Sequence, residues 1–328
     1  MKSTRCHRPV AKLDVHTRLL QPEAALHSIA KRLTNWGFRY FITEPFGFDA
    51  NDTENVGVFP ARFGNIYTVA QLLQTFQRAY GLFRPADTAW QRADGRLIDP
   101  FRPFIREAGY ASPAEVSQDR RKHLSAVRRM FEESDIFIFT LGLTECWASR
   151  IDGSVFPMAP GVAGAVGDPE DYEFRNYTVA EMSRDLLRFI DLARQSNPNI
   201  RFLLTVSPVS LIATYEDRHV LTSTIYSKSA LRVIAEEATK QRENVSYFPS
   251  YEMITGPHAR GNFYHEDARQ VTSEGVDYVM GVFSRHYLSD NSATDPNMHA
   301  ARPTPTKSFG LGTEDIVCEE ERINLASR

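Results

Sequence analysis

Two short runs constrain this chain more than any other feature: residues 135–141 (DIFIFTL) and residues 201–206 (RFLLTV). Each is apolar at nearly every position. A strand with one wet face alternates apolar and polar residues, so an almost unbroken apolar run must be covered on both sides. Residues 39–43 (RYFIT) and residues 245–248 (VSYF, ending at Pro249) carry weaker strand signals.

Helical stripes lie between these runs. Leu26, Ile29, Ala30 and Leu33 share one face, as do Val69, Leu72, Leu73, Phe76 and Tyr80. Leu124, Val127, Met130 and Phe131 form a third stripe, and Val179, Met182, Leu186, Phe189, Ile190 and Ala193 a fourth. Thr178 and Glu181 have the spacing of a capping box, which starts that last helix. A further helix is expected over residues 227–242. Thr272 can cap one that runs to Tyr287 with Val276, Val279, Met280 and Phe283 inward. Strands alternating with helices predict an α/β chain with a mostly parallel sheet covered on both faces. The helix at Leu26 should follow a first strand, and only the weak run 16–20 is available for it.

Residues 46–64, 83–114 and 151–176 are rich in Pro, Gly and aromatics and read as long ordered excursions, which in a compact domain often carry function. Residues 26–288 are expected to form one domain. Residues 289–328 turn polar and read as a disordered tail, and residues 1–25 are an atypical N-terminal segment.

The chain has 328 residues, 24% charged and 42% hydrophobic, which suits a globular protein. A net charge of −3 argues against a nucleic-acid partner bound by bulk electrostatics. Cys6, Cys146 and Cys318 are scattered, with no pair at metal spacing; they predict reduced thiols, a cytoplasmic location and no metal or other cofactor. No apolar run is long enough to span a membrane, and no apolar stretch follows the basic start as in a secretory signal.

In parallel sheets ligands bind beyond the carboxyl ends of the strands. That rule selects Gly142, Thr144, Glu145 and Cys146 after the first buried run and Ser207 after the second. It also selects the later loop with His258, His265 and Asp267. Gly142 serves either a tight turn or an oxyanion. Glu145 is either a cap or arginine partner, or an acid. Cys146 reads as a small core residue and Ser207 as a turn residue. His258 and His265 are candidate bases. No nucleophile elbow, phosphate-binding P-loop or His-Glu-x-x-His occurs.

Several blocks, in order, resemble the GSCFA family. They are residues 40–45 (YFITEP), 64–68 (GNIYT), 139–145 (FTLGLTE), 204–209 (LTVSPV), 226–229 (YSKS) and 247–252 (YFPSYE). The resemblance covers roughly residues 26–287. It implies a three-layer α/β/α, flavodoxin-like fold similar to SGNH hydrolases, and ester or acyl chemistry on a small-molecule or glycan-linked ester. It also implies a serine nucleophile after the first strand, an oxyanion hole built from a glycine and an asparagine, and a late Asp-x-x-His. Gly64 is the matching glycine, with Asn65 beside it. Placed on this sequence, the nucleophile position holds Glu23 and the residue before it Pro22. The oxyanion asparagine is Thr144, and the late motif is Asp267-Ala268-Arg269-Gln270, with Gln270 in place of histidine. Pro22 has no N–H to give, and glutamine takes no proton at neutral pH.

Three readings follow. One is an esterase-type hydrolase with His265 or His258 and Asp267 as base. Another is a catalytically impaired member that binds a ligand or partner. The last is a carboxylate-pair enzyme using Glu23 and Glu145. A shifted reading frame or misplaced start before Leu26 would remove the expected strand and serine together.

Overall fold

The computed structural model describes residues 18–20, 39–49, 56–57 and 59–287. In chain order the strands are β1 (Arg18–Leu20), β2 (Arg39–Tyr40), β3 (Trp90–Gln91), β4 (Leu97–Ile98) and β5 (Ile136–Leu141), then β6 (Glu145–Ser149), β7 (Val155–Phe156), β8 (Tyr172–Asn176), β9 (Arg201–Val206) and β10 (Val245–Tyr247). The helices are α1 (Val69–Ala79), α2 (Pro113–Glu133), α3 (Val179–Ser196), α4 (Val220–Gln241), α5 (Ser250–Thr255) and α6 (Ser273–Tyr287).

The main sheet has five strands in the order β10-β9-β5-β1-β2, and every neighbouring pair is parallel. Its longest ladder runs from Ile136 opposite Arg201 to Leu141 opposite Val206. Side chains alternate across a strand, so each buried run serves two cores. Phe137, Phe139 and Leu141 of β5, with Phe202, Leu204 and Val206 of β9, meet α1, α2, α3 and α4. Ile136 and Ile138 of β5, with Leu203 of β9, meet Ile254 of α5 and Val279, Met280 and Phe283 of α6. This is why neither run shows a polar face.

Local chemistry sets the helix starts. Thr68 with Gln71 and Thr178 with Glu181 close reciprocal capping boxes. Ser112 caps α2 ahead of Pro113, whose missing N–H costs nothing at a first helical position. The Thr272 hydroxyl accepts from Gly275 N at 3.2 Å, as expected for the start of α6. The helix expected over residues 227–242 begins earlier, at Val220, where the His219 ring accepts from Leu221 N.

The first strand, weak in the sequence, is present: Arg18–Leu20, within the run 16–20, sits between β5 and β2 as an inner strand. The ordered excursion over residues 151–176 contributes β7 and β8, which pair antiparallel with β6 to form a second, three-stranded sheet. Residues 83–114 likewise contain the β3–β4 hairpin, whose turn uses Gly95 at φ 80°. The helix expected at residues 26–36 and the tail 289–328 lie outside the described residues. Among the described residues, no helix is long and apolar enough to cross a membrane.

Phe137 lies within 5.3–6.1 Å, centroid to centroid, of Phe131, Phe139, Phe189 and Phe202, and is fully buried. Truncating it leaves a cavity in the centre of the larger core. Phe137→Ala should lower unfolding free energy by about 3–5 kcal/mol, read from the urea midpoint at unchanged slope.

Candidate functional site

At the carboxyl edge of the main sheet the chain leaves β5 through Gly142, Leu143 and Thr144. Two α4 side chains hold this exit. Lys228, buried in the core, donates its Nζ to the Gly142 carbonyl at 2.7 Å, and Thr144 N donates to Ser227 Oγ at 3.2 Å. Leu143 N donates to Tyr67 O at 2.9 Å. That bond ties the segment before α1 to the exit of β5. Asn65 is buried, and its side-chain amide makes no hydrogen bond among the described residues.

The loop after α5 reaches the neighbouring exit, that of β9. Ser207 N donates to Leu141 O, and its hydroxyl accepts from Val209 N at 3.3 Å, a turn of the kind Ser-Pro favours. Tyr264 OH donates to Pro208 O at 2.9 Å and Arg269 Nε to Ser210 O at 3.0 Å, latching residues 264–269 onto this segment. Within the loop, Asp267 Oδ1 accepts from Arg269 N and Gln270 N at 2.9 and 3.0 Å. Burial alone would raise the Asp267 carboxyl, but these donors, with His265 and Arg269 nearby, hold it below the usual carboxylate range. His265 and Asp267 are exposed. His258 is exposed at the end of α5, its Nε2 3.1 Å from Met253 O.

Glu145 opens β6, half-buried, and accepts from Thr214 Oγ1 at 2.7 Å. Burial pushes its carboxyl up, against the Thr214 bond. Cys146 is buried, and burial pushes its thiol up to about 12, so it is a protonated core residue. Glu23 lies outside the described residues. No group of three His, Cys, Asp or Glu among the described residues is arranged to hold a metal ion.

Sequence reasoning missed the most charged part of this region. Glu44 Oε2 accepts from Arg62 N and lies against His123 Nδ1, both at 2.7 Å. Arg102 bridges Asp99 at 3.1 Å and Asp119 at 2.8 Å; Arg120 binds Asp99 at 2.7 Å, and Tyr110 OH donates to Asp119 at 2.7 Å. All of these except Arg120 are buried. A cavity of about 20 Å³ opens beside them, with Gly64, Asn65, Arg78, Arg102 and His123 in its wall. It holds none of the other site residues expected from the sequence. The missed signal was periodic: Val116, Asp119, His123, Val127 and Met130 fall on one face of α2, so two polar residues occupy core positions.

Fold and edge together define an α/β protein whose candidate site lies where its parallel strands end. The model of the GSCFA family matches residues 26–283, and the chain belongs to that family. No curated protein and no solved structure matches it.

The buried pair sets a pH dependence. Burial, reinforced by Arg102, holds His123 below its ordinary value, so Nδ1–H of the neutral ring donates to Glu44. Glu44, despite burial, is held down to about 2 by His123, Arg102 and the Arg62 N–H. Both folded values are depressed, so both groups stabilise the fold above their unfolded values and lose that contribution as pH falls. The urea midpoint should therefore drop from about pH 6.5 downward through His123, and again below about pH 4.5 through Glu44. His123→Gln should remove the first step and keep the second. Arg102→Met should be harsher, because it strips the bridging guanidinium from Asp99 and Asp119; a loss of about 3–5 kcal/mol is expected by the same assay.

Proposed function

We propose that this GSCFA-family chain is an SGNH-type ester hydrolase acting on a small-molecule or glycan-linked ester, with water rather than serine as the attacking group. The parallel order β10-β9-β5-β1-β2 supports the placement, because renumbered along the sheet it is the flavodoxin-like order. The observation that supports it most is the Leu143 N–Tyr67 O bond, which ties the segment carrying Asn65 to the β5 exit, with the loop of His265 and Asp267 latched to the next strand exit.

In this reading the neutral His265 imidazole takes a proton from water as the water oxygen bonds to the ester carbonyl carbon. The carbonyl electron pair moves to oxygen, and the Asn65 amide donates to that oxyanion. Asp267 favours the imidazolium that forms. Collapse breaks the bond to the alcohol oxygen, which takes the proton back from the ring. Acid and alcohol leave, and the imidazole is neutral again. This route suits a chain in which Glu23, rather than serine, stands at the position the family resemblance assigns to the nucleophile.

A second reading, binding without turnover, is favoured by one specific departure: Gln270 stands where the family's histidine is expected, and it cannot take a proton.

Hydrolysis of p-nitrophenyl acetate separates the two. The wild-type rate should exceed that of His265→Ala by a factor of about 10²–10⁴. A fluorophosphonate probe should leave no adduct in the mass spectrum. Equal rates in the wild type and a His258→Ala, His265→Ala, Asp267→Ala variant would establish the binding reading instead.

A further inference from the structure

Arg78 closes α1, and it is 9% exposed. The Phe101 ring covers one face of its guanidinium, 3.8 Å from the centroid. Its Nε is buried with no hydrogen-bond partner, and no carboxylate among the described residues pairs with it. Asp99 is the anion that acts on it most, but both Asp99 oxygens are taken: Oδ2 by Arg102 at 3.1 Å and Oδ1 by Arg120 at 2.7 Å. The Asp119 oxygens are held by Arg102, Arg62 and Tyr110, and the Glu44 oxygen by the Arg62 N–H and His123. Arg78 is thus a buried cation left over after every nearby carboxylate is spoken for.

Such a charge is costly unless something answers it. Burial, with Arg120 and Arg102 adding repulsion, lowers its pKa to about 9, so it stays charged at neutral pH. Arg78 also lines the cavity of about 20 Å³, beside Arg102 and the unbonded Asn65 amide. Two of the other polar wall residues are engaged elsewhere. Gln74 spends its side chain on Gly153 O and Val155 N, and Gln71 spends its oxygen on Tyr67 N and Thr68 N. Space, a guanidinium with no bonded carboxylate and an unbonded amide therefore line one cavity.

We propose that this cavity is a carboxylate-binding site, with the Arg78 guanidinium as its counter-charge and the Asn65 amide as a second donor. A planar carboxylate matches the guanidinium fork. The inference stands whether or not the chain hydrolyses an ester. Where it does, the site would select acids or esters bearing a carboxylate next to the oxyanion position.

Thermal unfolding of the full chain tests this with sodium acetate, sodium glucuronate, sodium phosphate and sodium chloride at equal ionic strength. Carboxylate at tenfold over its dissociation constant should raise the wild-type Tm by about 2–3 °C over chloride. Glucuronate ahead of acetate assigns the carboxylate to a sugar acid; acetate level with or ahead of glucuronate assigns it to a small free acid. Arg78→Met should do two opposite things: raise the Tm in chloride, because an unpaired buried charge is gone, and abolish the carboxylate response. Arg78→Lys, which keeps the charge without the fork, should retain a weakened response. A chloride response equal to acetate, a phosphate response above acetate, or an Arg78→Met protein that responds like the wild type would overturn the proposal.

Discussion

Arg102 carries charge into the interior, and much of the structure around the site is arranged to keep it there. Removing a guanidinium from water costs several kcal/mol unless carboxylates meet it at close range with their own lone pairs filled. Asp99 and Asp119 do so, and each is served by a further donor, Arg120 or Tyr110. These residues come from the excursion after α1 and from α2. Glu44 and Arg62 join them from the stretch before α1. Segments with little regular structure are thereby fixed in place by ion pairs and hydrogen bonds rather than by ladders. The wall of the cavity, including Gly64, Asn65 and His123, rests on that arrangement.

The parallel sheet supplies the other constraint. With helices on both faces, ligands are expected at the carboxyl ends of the strands, where the family blocks follow the described strands. Lys228 and Ser227 of α4, Tyr67 before α1, and Arg269 of the late loop each reach a backbone group near a strand exit. Blocks far apart in sequence therefore share one edge, which is the physical content of the family pattern. Glu145 belongs to a separate group with Thr214, on the second sheet.

The legible part of the fold was the part governed by local periodicity. The runs at residues 135–141 and 201–206 announced strands buried on two sides, and both stand within one residue of that reading. The stripes of α1 and α3, and the capping box that starts α3, were equally plain. The second sheet was not, because β6, β7 and β8 are short and their pairing is not sequence-local: Glu145 meets Asn176. The first strand was nearly invisible for a related reason. It is three residues long and takes its place from its neighbours on either side, not from its own pattern.

By itself, then, the sequence determined an α/β chain with a twice-covered parallel sheet, the family it belongs to, and the candidate edge where chemistry would sit. Hydrophobic period is enough for the fold and its edge, and the ordered sequence blocks carry the family resemblance. Only the tertiary structure decided which polar residues are buried together. Whether Arg78 is paired depends on how two distant carboxylates spend their oxygens, and whether His123 faces solvent or Glu44 depends on the packing of α2. Charge compensation is set by distances of a few ångströms between segments far apart in the chain, and no local pattern encodes those distances.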